Sequence, residues 1–168
     1  MWPFTTNQSI SDLYTKTYNE IMKNFLDTSW KKSLFFELKP IIYVVADIAS
    51  MQAHKNREQV AQKIIANMHL TNKEAQLFDQ RLDLYGKNIR GGKLRGEWLF
   101  CDTKKWETHP VLICCVVLGD ILIDPACAED YENPKLKLNN PIDTYYLAIK
   151  MTTTAEILLK FFNEVSKL

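Results

Sequence analysis

The sequence predicts an α+β fold: a helical N-terminal half of four or five helices, a small antiparallel sheet of three or four strands, and an amphipathic C-terminal helix. Three observations carry this expectation. Up to Gly86, apolar residues recur three and four positions apart, the spacing of helices that bury one face. Between residues 110 and 124 the chain is instead dense in Val and Ile around a Gly119-Asp120 pair, which reads as two strands and a tight turn. Near the end, Thr153 and Glu156 stand as a capping box before a renewed helical pattern. At 168 residues the chain suits a single domain, 1–168, divided into a helical part (1–86), a glycine-rich basic loop (87–95), and a sheet with its terminal helix (96–168).

The elements follow in order. Ser9 with Asp12 opens a first helix, in which Ile10, Leu13, Tyr14, Ile21 and Phe25 share a face. Asp27, Thr28 or Ser29 breaks it, and Trp30, Leu34, Phe35 and Leu38 define a short helix over 29–38 that Pro40 ends or kinks. A strongly apolar helix starts at Pro40. Asn56 caps the next, and Thr71 with Glu74 forms a capping box for a further one, closed by Gly86. Strands are expected at about 96–102, 110–118 and 121–124. One helix over 110–123 is the alternative, against which the β-branched residues and the interior Gly-Asp argue. Residues 126–141 read as loop, and "IDTYYLAIKM" as a fourth strand.

Composition narrows the function classes. Net charge is +1, with 24% charged and 46% apolar residues, so no global charge calls for nucleic acid or an anionic membrane. The charge is uneven, however: residues 86–107 carry 6 basic against 3 acidic residues, and 108–168 carry 5 against 8. Four cysteines in apolar settings do not make a disulfide framework, which points to a reducing, cytoplasmic setting. The first residues lack the features of a secretory signal. The longest apolar run, Val111 to Leu118, is eight residues where a membrane helix needs about 20, so a soluble protein without membrane insertion is expected.

Several groups could carry chemistry. Four of the five glycines lie between 86 and 96, interleaved with Lys87, Arg90, Lys93 and Arg95, a segment able to bring backbone donors and cations to an anion. It matches no phosphate-binding motif, and few aromatic residues accompany it for base stacking. Cys101, Cys114, Cys115 and Cys127 lack zinc spacing, and no metal or other cofactor is implied. Tyr43, Asp47, Ser50 and His54 share one helical face and contain a carboxylate beside a histidine. Glu129, Asp130 and Glu132 form an acidic turn without the ligand pattern of a calcium loop.

His109 opens the most apolar run and Asp124-Pro125 follows it. With the expected strands, this arrangement over residues 71–125 resembles the core of transglutaminase-like cysteine enzymes. That resemblance implies an aspartate, Asp124, orienting an imidazole, His109. The family's nucleophilic cysteine begins the preceding helix, where this chain reads Thr71-Asn72-Lys73, leaving Cys101 as the candidate thiol.

The leading expectation is a non-catalytic intracellular domain that binds another protein, as an inhibitor, immunity-type antagonist or adaptor. Trp2, Phe4, Trp30, Phe35, Phe36, Trp98, Trp106, Phe161 and Phe162 supply candidate anchors. A hydrolase or transferase using Cys101, His109 and Asp124 is the first alternative. Contact with an anion or nucleic acid through residues 87–95 is the second.

Overall fold

The computed structural model describes residues 6–100, 102–131 and 141–168. Among these residues there are six helices: α1 (Thr6–Asn24), α2 (Lys31–Gln52), α3 (Arg57–Ala66), α4 (Asn72–Ile89), α5 (Pro110–Ile123) and α6 (Pro141–Lys167). Three short 3₁₀ turns, Glu97–Leu99, Thr103–Lys105 and Pro125–Ala128, punctuate the connections around α5. Among the described residues there is no strand, so the α+β expectation is corrected to an all-helical fold.

Helix α2 touches every other helix, and α6, about 40 Å long at 1.5 Å per residue, lies across α1, α2 and α5. The α1 spacing works as expected: Ile10, Tyr14, Ile21 and Phe25 all point into the core. Helix α2 runs through Pro40 rather than stopping there. Proline removes the bond to the carbonyl one turn back, at a cost of about 3 kcal/mol in a helix interior. Burial of Leu34, Leu38, Ile41, Ile42 and Val45 on both sides of it holds the helix together.

Helix starts match their sequence signals at Asn56 and Thr71 but not at Ser9 or Thr153. Gln59 N donates to the Asn56 side chain at 3.1 Å, and the Thr71–Glu74 capping box is complete. Helix α4 continues past Gly86 to Ile89 and closes on Gly91, whose φ of 110° lets Gly92 N reach back to Lys87 O. Ser9 lies inside α1, and Thr153 lies in mid-α6, its hydroxyl donating to Ile149 O. The long α6 thus also absorbs the expected fourth strand.

The largest correction concerns residues 110–123. The expected hairpin is helix α5, the alternative that the β-branched residues argued against. Val111, Cys114, Cys115, Val116, Val117, Leu118, Ile121 and Leu122 are all buried. A helix enclosed on nearly all sides is apolar all round, and packing then outweighs the modest helix propensity of Val and Ile. Gly119 is no turn residue. It lets the Trp98 indole lie against the helix backbone: a Cβ there would overlap the six-membered ring and stand 2.9 Å from Nε1.

Candidate functional site

Of the sequence-expected catalytic groups, His109 and Asp124 do not meet. His109 is the N-cap of α5, where its Nδ1 accepts from Val111 N at 3.1 Å, with Pro110 next in the first turn. Its ring packs edge-on against Phe162 with centroids 4.9 Å apart, and burial lowers its pKa. Asp124 stands at the other end of the same 14-residue helix, about 21 Å along the axis, and accepts from Ala126 N at 3.2 Å. Both residues are caps, and among the described residues the strands expected with the transglutaminase-like resemblance are not formed. Cys101 lies outside the described residues. Cys114, Cys115 and Cys127 are buried, and burial pushes all three thiols up, Cys127 to about 12, so none is a ready thiolate.

The basic loop is also differently placed. Lys87 belongs to α4 and Arg90 is its C-cap. Lys87 and Lys93 share a cleft of about 190 Å³ with Glu129 and Asp130, so the acidic turn faces the basic segment. Glu132 lies outside the described residues. Arg95 turns inward: its guanidinium is 5.8 Å from the Tyr131 ring, and Nε and Nη2 are buried without a hydrogen-bond partner among the described residues. The Tyr43–His54 stripe dissolves as well. Asp47 takes a bidentate pair from Arg57 at 2.8 Å, Ser50 is buried and donates to Ala46 O, and His54 has left the helix at φ 56°. Among the described residues, no group of three or more His, Cys, Asp or Glu is placed to hold a metal.

Two buried polar centres went unread in the sequence. Asp120, 0% exposed within α5, accepts from Trp98 Nε1 at 3.0 Å, Gly96 N at 3.2 Å and Tyr131 Oη at 2.7 Å. Burial pushes its carboxyl up to about 7, against the pull of the Tyr131 and Gly96 donors. Elsewhere in the bundle, Arg81 of α4 makes a forked pair with Glu37 of α2 at 2.9–3.1 Å, beside the buried Tyr85. Both centres are shut off from solvent and tie elements together.

An open, largely apolar concavity lies where α1 and α2 meet the start of α4. Tyr14 and Tyr18, one turn apart on α1, stack with centroids 6.1 Å apart, and Tyr18 Oη donates to Phe35 O at 2.6 Å. Burial raises the pKa of both phenols, that of Tyr18 to about 12. Lys39 bonds Glu74 Oε1 at 3.3 Å while its ammonium lies 5.3 Å from the Phe35 ring centre. Glu74 is doubly committed, because its other oxygen accepts from Thr71 N at 2.9 Å. The Thr71 amide, then Lys39, hold its carboxyl below the ordinary value.

These residues, with Met68 and His69, line a cavity of about 370 Å³. Beyond Phe35 a second hollow of about 730 Å³ opens over Met22, Phe36, Lys31 and Lys32. Phe35 and Glu74 border both hollows, and Phe35 is 56% exposed on the ridge between them. Of the aromatic residues singled out in the sequence, Trp98, Phe161 and Phe162 are core, Phe35 is exposed, and Trp2 and Phe4 lie outside the described residues. A second apolar stripe, Ile142, Tyr145 and Ile149, is exposed on α6, with Phe100 packed against Tyr145 at 6.1 Å.

No family model, curated protein or solved structure matches this chain. Among the described residues, no helix is long and apolar enough to cross a membrane.

Proposed function

We propose that this chain is a non-catalytic protein-binding domain, an inhibitor, antagonist or adaptor, and that it engages its partner through the α1–α2 groove. The observation that carries the reading is Phe35: a large aromatic side chain, more than half exposed, on a ridge between two largely apolar hollows. The floor beneath it is pre-organised. Tyr18 is tied to the α2 backbone and Lys39 is pinned between Glu74 and the Phe35 ring, so little ordering cost remains for a ligand to meet. Aromatic side chains in such settings carry much of the energy of protein interfaces.

The test is affinity purification from the native host with the wild-type chain and with Phe35→Ser. Because Phe35 is largely exposed, the variant keeps its thermal midpoint within about 2 °C, as surface changes do. A defined partner retained by the wild type and lost by the variant is expected. Retention of the same partner by Phe35→Ser, or no retained protein at all, contradicts the reading.

A further inference from the structure

We infer that the occupant of this groove is an acidic peptide segment bearing an aromatic or large aliphatic anchor; the inference rests on the binding role proposed for the groove. The argument is charge complementarity around an apolar floor. Lys31, Lys32 and Lys39 line the two hollows, against a single lining carboxylate among the described residues, Glu74. Glu74 is already engaged by the Thr71 amide and by Lys39, which leaves Lys31 and Lys32 as the uncompensated charges. Both are exposed, and neither forms an ion pair among the described residues.

The start of α2 adds to this field. The helix has no acidic residue in its first turn, and its N-cap position is Trp30, which offers no side-chain acceptor. The positive end of a 22-residue helix therefore coincides with the two lysines at the mouth of the larger hollow. An anchor side chain beside Phe35 would place flanking carboxylates over Lys31 and Lys32. A basic segment would meet like charge at the same place, so the rim selects by repulsion as well as attraction.

The experiment is a selection from a displayed library of random 14-residue peptides with one fixed central Trp, against the folded full chain. Enriched peptides are then made synthetically and titrated with the wild type, Phe35→Ala and Lys31→Glu/Lys32→Glu. Expected are peptides with Asp or Glu flanking the anchor, at least tenfold weaker binding to each variant, weakening with added salt, and recovery on the double variant when the peptide acids are changed to Lys. Peptides that depend on Phe35 but carry no acidic bias and ignore the lysine reversal overturn the acidic occupant while leaving the groove's binding role standing. No peptide whose binding depends on Phe35 removes both. Vesicles containing phosphatidylserine serve as the remaining arm: Lys31- and Lys32-dependent binding to them, without any peptide binder, assigns the surface to anionic lipid and overturns the inference.

Discussion

Replacing Asp120 with Ala removes one carboxylate and strands three donors: Gly96 N, Trp98 Nε1 and Tyr131 Oη. Each buried donor left without an acceptor costs about 1–3 kcal/mol. With some relief from water entering the space, the loss should reach about 3–5 kcal/mol, a large part of the ~5–15 kcal/mol typical of a domain. Asp120→Asn keeps an acceptor for Trp98 and Gly96 and should cost well under half as much. The carboxyl also sets a pH dependence. Its folded pKa, near 7, is above the unfolded value of 3.8, so its contribution is complete below about pH 4 and is lost as pH rises through 7. The span of roughly three units corresponds to about 4 kcal/mol. Urea unfolding followed by tryptophan fluorescence at pH 5, 6, 7 and 8 reads both effects. The wild type minus Asp120→Asn difference should shrink between pH 5 and 7 and level off by pH 8. A loss under 1 kcal/mol in Asp120→Ala at pH 5, or a wild type minus Asp120→Asn difference independent of pH, would refute the reasoning.

Three further outcomes are expected. His109→Ala should cost about 1 kcal/mol by uncapping α5, and His109→Asn should cost little. Because burial lowers the His109 pKa, its contribution is present above the unfolded value of 6.5 and lost as pH falls through the folded one; thermal melts of wild type and His109→Asn between pH 4.5 and 8 should diverge at the acid end. Gly119→Ala should destabilise by about 1–3 kcal/mol, with a red shift of tryptophan emission as Trp98 is pushed from the helix. Glu37→Leu alone should cost about 3–5 kcal/mol in urea unfolding, because it leaves Arg81 buried and unpaired, whereas Glu37→Leu with Arg81→Met should cost less than that single change.

What was legible in the sequence was local. Asn56 and Thr71 announce helix starts because a cap acts within three residues, and the α1 face shows because it is wetted on one side only. Helix α5 is hidden for the opposite reason: buried nearly all round, it has no polar face to mark a 3.6-residue period. Two signals for it were present. His109-Pro110 is an N-cap with proline in the first turn, and the 14 residues to Ile123 exceed an ordinary strand. Gly119 looked like a turn because its reason, the Trp98 ring, comes from 21 residues away. The same distance hides the groove. Phe35 stood among the candidate anchors, but Glu74 reads locally as a capping residue, and only the crossing of α2 and α4 brings it to Lys39.

The groove is tested most directly by placing a photo-crosslinking benzoylphenylalanine at position 35, with a control at the exposed Gln62 of α3, in the native host. After irradiation, crosslinked peptides are sequenced by mass spectrometry. A discrete protein adduct formed from position 35 and not from position 62, with acidic residues flanking the captured site, is the predicted result. Equal labelling from both positions, or none from position 35, would contradict the claim that this groove is the protein's binding surface.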